Sequence, residues 1–478
     1  MIGRKQEITE LNNLYNSGKP EFIAVYGRRR VGKTFLIDET FKNKFTFRHA
    51  GLSPIEYNKS NALEEQLSHF YLSLKYYGLK NEKKPKSWLE AFYLLVKLLD
   101  DKRDGERQVV FIDELPWLDT NRSGFITALE GFWNNWGCHR DDLVLIVCGS
   151  ATSWMMNELI GNHGGLYGRI TYEIKLVPFT LNECEQYLKE KNIAYSRYDI
   201  VQSYMMLGGI PYYMEYLMRG NSLPLDIDRL FFSKNAKLHD EFNRLFASTF
   251  DNPDLAKTIV KLLSTRNYGY KRSEISDKLK TKDGKKLATA LNALIASDFI
   301  IKYIPFGHKK NDIFYKLIDP FCIFYLYFVD NKTSLDTDFW QQNIKSQSVI
   351  SWRGIAFENV CFNHIKQIKK ALGISGVTTR ESAWQKKSED KDDDGMQIDL
   401  IISRNDNVIN MCEVKFYSGE FSVNKSYYTK LMNRQTALSN IVSPIISIHN
   451  TLITTIGLKY NEYSGIFSNV ITLDDLFE

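Results

Sequence analysis

The chain has 478 residues, 44% hydrophobic and 25% charged, with a net charge of only +5, the proportions of a soluble globular protein of about three or four domains. No run of about 18 apolar residues occurs, so no membrane-spanning helix is expected, and the opening "MIGRKQEITEL" lacks the apolar core of a secretory signal. The six scattered cysteines (Cys138, Cys148, Cys184, Cys322, Cys361, Cys412) include no C-x-x-C pair, which argues against a zinc site or a disulfide framework and for a reducing cytoplasm.

The first predicted elements are a strand, a glycine loop and a helix, in "EFIAVYGRRRVGKTFLIDETF". The apolar run Phe22 to Tyr26 suits a buried strand. It leads into Gly27-x-x-x-x-Gly32-Lys33-Thr34. The glycines let such a loop fold tightly, so that backbone N–H groups and the following helix N-terminus surround phosphates. Lys33 would then reach the β- and γ-phosphates, and Thr34 would ligate Mg²⁺. A second buried strand, "RQVVFIDELPWLD", ends in Asp113 and Glu114. The first acid suits Mg²⁺ and the second suits polarising an attacking water. A third, "DLVLIVCGSAT", ends at Ser150, placed to sense a γ-phosphate. "GGLYGRI" then offers Arg169, a candidate for stabilising charge on a transferring phosphoryl group, although an arginine after a glycine loop also suits plain surface exposure.

These motifs, with "PFTLNECEQYL" and "MLGGIPYYMEYL", resemble the AAA+-related ATPases grouped as signal-transduction ATPases with numerous domains. The resemblance covers about the first 220 residues and points to a family of archaeal and bacterial ATPases. It implies that Gly3 and Arg4 lie by the adenine of ATP. It also implies that the turn of Gly208, Gly209 and Pro211 closes a helical lid over the nucleotide. From the residues alone, Gly-Gly-Ile-Pro reads as a sharp break between helices.

Between Leu255 and Pro320 stand fourteen Lys/Arg against six Asp/Glu. "LAKTIVKLLSTRNYGYKRSEISDKL" reads as two helices, "KKLATALNALIASDFIIKYI" as a third with a strand, and "FGHKKNDIFYKLID" as a hairpin. That order is the order of a winged helix. Its loops "KTKDGKK" and "GHKKND" supply cations for DNA phosphates, or an ordinary solvated face that contacts a protein partner. "YKLIDPFCIFYLYFVD" follows as a helix buried between modules, and the tyrosine-rich Asp-Pro-Phe helix again resembles the same ATPase family.

From Trp352 onward, "WRGIAFENVCFNHIKQIKKALG" has helical spacing and bears Glu358. After a charged loop, "QKKSEDKDDDG", come two apolar strands, one with Asp399 and one with Glu413 and Lys415. Glu-x-Lys alone is uninformative, since Glu82, Glu173, Glu389 and Glu413 all precede a lysine by two. The setting singles out Glu413. If the strands pair as a hairpin, Asp399 and Glu413 come within reach of one Mg²⁺ or Mn²⁺, with Lys415 beside the metal-bound water. This arrangement resembles the PD-(D/E)xK nuclease superfamily, with Asp399, Glu413 and Lys415 on its motif and Glu358 on its helical acidic position. Gln397 departs from the acid that close relatives tend to have before the Ile-Asp pair.

The expected architecture is therefore α/β and multidomain: a P-loop ATPase core over 1–180, a helical lid over 181–252, a winged helix over 253–320, a connecting helix over 321–350 and a restriction-endonuclease-like domain over 351–478. The expected activity is ATP hydrolysis coupled to a metal-dependent, DNA-processing nuclease-like domain. The alternative is a nucleotide-controlled switch that binds DNA or protein without cutting. Oligomerisation stays open, as does whether Arg169 serves its own nucleotide or a neighbour's.

Overall fold

A computed structural model describes residues 2–53, 61–330, 336–386 and 396–478. It divides into two compact units, one of residues 1–178 with 247–253 and one of 179–246 with 254–478. Most of the loop expected over 385–395 lies outside the described residues. Among the described residues no helix is long and apolar enough to cross a membrane, and all six cysteines carry free thiols.

The first unit is built on five parallel strands: β1 (Glu21–Tyr26), β2 (Phe45–Ala50), β3 (Gln108–Asp113), β4 (Leu143–Gly149) and β5 (Tyr172–Lys175), in the order β2-β3-β4-β1-β5. Every residue of β1, β3 and β4 is buried. Continuous apolar runs of this kind belong to parallel strands covered on both faces. The helix Trp88–Asp101 starts where the Ser87 hydroxyl accepts the Glu90 N–H and buries Trp88, Phe92, Leu95 and Leu99. Each such side chain contributes about 1.5–3 kcal/mol. The register Tyr26↔Gly149 and Ile112↔Val147 levels the carboxyl ends of β1, β3 and β4. Gly27, Asp113 and Ser150 therefore emerge at one edge, where open α/β sheets bind ligands.

The second unit opens with the helices Leu181–Glu190 and Arg197–Leu207. A capping box of Thr180 and Glu183 starts the first of these. Gly208 and Gly209 end the second in left-handed conformation (φ 67° and 63°), and Pro211 begins the next short helix. A Cβ on Gly209 would lie 2.4 Å from the Phe179 carbonyl oxygen, so only glycine fits that turn.

The basic segment contains the helices Pro253–Ser264, Arg272–Lys278 and Lys285–Ala296 and three antiparallel strands: β6 (Tyr270–Lys271), β7 (Ile300–Tyr303) and β8 (Phe314–Leu317), in the order β6-β8-β7. The aromatic stretch gives the helix Pro320–Phe328, capped by Asp319, which accepts the Cys322 N–H at 2.7 Å. Its Phe324 and Phe328 pack edge-on against Trp340 and Trp352.

The last part of the chain forms a mixed sheet of β9 (Thr379–Lys386), β10 (Met396–Arg404) and β11 (Val408–Lys415), followed by β12 (Phe421–Ser422), β13 (Ser447–Thr454), β14 (Leu458–Lys459) and β15 (Asn469–Ile471). The five long-sheet strands run β15-β13-β11-β10-β9, while β12 and β14 pair separately. The single helix expected from Trp352 is two helices, Gln347–Asn363 and Ile365–Ala371. His364 marks the break. Its Nε2 accepts the Leu181 N–H at 3.1 Å, which places the proton on Nδ1 facing the Val360 carbonyl at 2.8 Å.

Candidate nucleotide site and candidate metal centre

In the first unit Gly27 has φ 138°, and a Cβ there would lie 2.2 Å from the Leu176 carbonyl oxygen. The loop can therefore pass β5 only with glycine at this position. Gly32 has φ 91° and precedes the helix Lys33–Thr40. The buried Lys33 ammonium donates to the Gly27 and Arg28 carbonyls at 3.0 Å each. Thr34 Oγ1 donates to Asp113 Oδ2 at 2.7 Å, and Asp113 Oδ1 accepts the Glu114 N–H at 2.9 Å. A hydroxyl and a carboxylate this close are hard oxygen donors that suit Mg²⁺, whose remaining positions phosphates and water commonly fill.

Glu114 sits just beyond β3 in left-handed conformation (φ 44°), a strained setting for a residue with a side chain and one that concentrates at functional sites. Its Oε2 accepts the Ser150 hydroxyl at 2.8 Å and the Ser150 N–H at 3.1 Å. The ends of β3 and β4 are thus tied through Glu114 and Ser150. Gly3 and Arg4 both have positive φ. The Arg4 guanidinium donates to the Val177 carbonyl at 2.7 Å and the Val31 carbonyl at 3.3 Å, so it ties the glycine loop to the segment after β5. Arg169 is exposed, and among the described residues its side chain bonds neither Lys33, Thr34, Asp113 nor Glu114. Gly209 and Pro211 belong to the second unit.

In the second unit β10 and β11 pair antiparallel with Leu400 opposite Cys412. The next residues along each strand are Asp399 and Glu413, which therefore share a face. A register shift between Ile398 and Ile401 in the pairing with β9 flanks Asp399, an irregularity of the kind that re-aims side chains beside sites. Asp399 accepts the Val414 N–H and, at 3.3 Å, the Gln397 amide. Loss of water and repulsion from Glu413 push the Asp399 carboxyl up to about 6. Loss of water and repulsion from Asp399 push Glu358 up to about 8. Burial alone would raise Glu413, but Lys415 and Arg434 outweigh it and hold its carboxyl below the usual range. For Lys415 burial opposes the charge, and the Glu413 carboxylate outweighs burial and keeps the ammonium charged.

The three acids form an electrostatic row, Glu358 beside Asp399 beside Glu413. They do not form the convergent ligand set expected from the sequence. Among the described residues no three His, Cys, Asp or Glu side chains gather closely enough to hold a metal ion by themselves. The physical reason is competition. Lys415 and Arg434 each meet a Glu413 oxygen at 2.7 Å, and the Tyr427 hydroxyl donates to it as well. At the other end of the row Asn267 Nδ2 donates to Glu358 Oε2 at 2.5 Å.

Sequence reasoning missed Tyr427, Arg434, Asn267 and Lys316. A signal existed for the first pair, since Tyr427 and Arg434 lie seven apart on the helix Lys425–Ser439 and so share a face. In the basic segment several cations are neutralised internally, as in Arg272 with Asp283 and Lys271 with Asp312, both at 2.5 Å. Lys282, Lys285, Lys286, Lys302, Lys309 and Lys310 are exposed and form no ion pair among the described residues.

Residues 1–217 match an ATPase domain family found predominantly in Archaea. The matched stretch contains the five-stranded parallel sheet and the glycine loop between β1 and the helix Lys33–Thr40. An uncharacterized protein of Methanocaldococcus jannaschii is 24% identical over 430 residues, 87% of this chain and 87% of its own length. An uncharacterized ATP-binding protein of the same organism is 46% identical over 43 residues, 9% of this chain and 73% of its own. Among solved structures, the Walker-type ATPase of Pyrococcus abyssi aligns with a TM-score of 0.44 at 20% identity, covering 68% of this chain and 96% of that one.

Proposed function

We propose that the first unit binds ATP with Mg²⁺ and hydrolyses it. The observation that carries this reading is the gathering of Lys33, Thr34, Asp113, Glu114 and Ser150 at one edge of the sheet, with Thr34 and Asp113 joined at 2.7 Å. Lys33 would exchange its two carbonyl acceptors for β- and γ-phosphate oxygens. Thr34 and Asp113 would hold Mg²⁺, which supplies neutralisation of charge on the phosphates. Glu114 would orient the attacking water, and Ser150 would hold Glu114 in place until the γ-phosphate arrives. Gly3 and Arg4 serve the adenine side, Gly209 and Pro211 the lid, and Arg169 answers to a nucleotide from its exposed loop. Phosphate release from ATP is expected to stop when a chelator removes divalent cations. Release that persists in the chelator contradicts the Thr34–Asp113 assignment.

The second unit is read as a DNA-processing module with a winged helix and a nuclease-like sheet. Support comes from the exposed, unpaired lysines of the basic segment and from Asp399, Glu413 and Lys415 on adjacent strands. Asp399, Glu413 and Glu358 would hold Mg²⁺ or Mn²⁺, and Lys415 would stabilise the pentavalent phosphate. A route for control runs inside this unit. Tyr198, on the helix that ends at Gly208, stacks on Phe416 at 4.8 Å, next to Lys415. Arg197 pairs with Asp474 at 2.7 Å. The three donors on Glu413 favour a second reading, a DNA-binding switch that never cleaves. Plasmid DNA incubated with ATP and Mn²⁺ separates the two. Wild type is expected to nick it and Asp399→Asn to be at least about 100-fold slower. Equal nicking by both, or none by either, sinks cleavage by this site.

A further inference from the structure

The helix Lys425–Ser439 carries two sets of side chains with different tasks. Tyr427 and Arg434 meet Glu413. Tyr428, Met432 and Gln435, each one residue further on, follow the spacing of a single helix face. They line a cavity of about 330 Å³ against β13 and the 462–468 loop, the size of a small-molecule site. From β13 comes Asn450, which is 4% exposed. Its Nδ2 donates to Gln435 Oε1 at 2.8 Å, while its Oδ1 is buried and has no hydrogen-bond partner among the described residues. The backbone there is held too, since the Ser468 N–H donates to the Asn450 carbonyl at 2.8 Å. Tyr428 and Tyr463 pack ring against ring at 5.6 Å and form an aromatic wall. Glu462 stands exposed at the rim.

These groups call for one kind of ligand. A buried amide oxygen left without a donor is costly, and a ligand N–H that reaches it removes the cost. Aromatic faces attract cations. Among the described residues that line the cavity, Glu462 is the only charged one. An anion would be repelled by Glu462 and would find no cation. A purely apolar guest would leave the Asn450 oxygen unpaired. A guanidinium answers all three features. It offers an N–H to Asn450 Oδ1, its flat face to a tyrosine ring and its charge to Glu462. An ammonium fits less well, because it is a compact, strongly hydrated point charge that cannot stack. We propose that this cavity is a binding site for a guanidinium group, carried by a free alkylguanidine or by an arginine side chain of a partner protein. It uses no residue of the nucleotide site or of the carboxylate row, so it stands independently of both readings above.

The test is calorimetric titration of the full-length protein with three probes: butylguanidinium, the blocked tripeptide acetyl-Gly-Arg-Gly-amide, and the same tripeptide with citrulline in place of arginine. Citrulline keeps the shape and removes the charge. The proteins are wild type, Asn450→Leu and Glu462→Gln. Glu462 is exposed, so its variant reports even if Asn450→Leu unfolds. The expected result is binding of a guanidinium probe with a dissociation constant below about 1 mM. The citrulline peptide should bind at least about tenfold more weakly. Glu462→Gln should weaken guanidinium binding by about threefold to tenfold, and Asn450→Leu by at least about tenfold. Butylguanidinium that binds as tightly as the arginine peptide identifies a free small molecule as the ligand, and a tighter peptide identifies a partner's arginine. Absence of binding by both guanidinium probes, equal binding of the citrulline peptide, or binding unchanged in Glu462→Gln overturns the proposal.

Discussion

Glu114→Gln is expected to bind ATP as wild type does and to lose nearly all turnover, by about 10²–10⁴-fold in kcat. The substitution keeps the length of the side chain. A glutamine oxygen can still accept one of the two Ser150 bonds that Glu114 makes at 2.8 and 3.1 Å, and the left-handed backbone at this position is no harder for glutamine than for glutamate. What disappears is the charge that polarises water. The loss should therefore appear in kcat and not in the affinity for ATP, the pattern of an interaction made in the transition state. Single-turnover phosphate release, with separate equilibrium binding of ATP, makes that division. A variant that hydrolyses normally would move the water-activating role to another residue.

Lys33→Ala is expected to fail at the earlier step. The ammonium is buried and, among the described residues, bound only to carbonyls of its own loop, which hold it ready without neutralising it. Removing one partner of a buried charged contact costs about 2–5 kcal/mol, so ATP affinity should fall by about 30-fold to a few thousand-fold. The fold should survive, because Lys33 contributes no core packing that alanine cannot leave to Leu36 and Ile37. Circular dichroism and thermal unfolding beside the binding measurement check that point.

The front site was legible because its determinants are local. Gly27, Gly32, Lys33 and Thr34 fall within eight consecutive residues, and the acid that meets Thr34 ends an unbroken apolar strand. The pairing of Asp399 with Glu413 was legible for a related reason. Only Asn405, Asp406 and Asn407 separate β10 from β11, and Asn407 supplies the left-handed turn (φ 61°). Burial distinguishes this Glu-x-Lys from the one on β5. Glu173 and Lys175 are both exposed on β5, whereas Glu413 is 4% exposed.

What the sequence hid depends on distance along the chain. Lys316 counts as one of fourteen basic residues in a segment read for phosphate contact, yet it is buried beside the ring of Phe362, more than forty positions away. Charge counting assumes solvation, and tertiary packing removed it. The same cause explains the open ligand row. Three acids on a helix and two strands were expected to converge, but Arg434 and Tyr427 from a later helix and Asn267 from an earlier turn take their oxygens first. Nothing local in "MQIDLIIS" or "MCEVKFYSG" announces those competitors.

The central claim is that the first unit grips a triphosphate through its lysine and turns it over through its glutamate. Equilibrium ATP binding and phosphate release, measured in parallel on wild type, Lys33→Ala and Glu114→Gln, test it most directly. Wild type is expected to bind and hydrolyse, Glu114→Gln to bind without hydrolysing, and Lys33→Ala to do neither. Hydrolysis by Lys33→Ala at the wild-type rate would contradict the account.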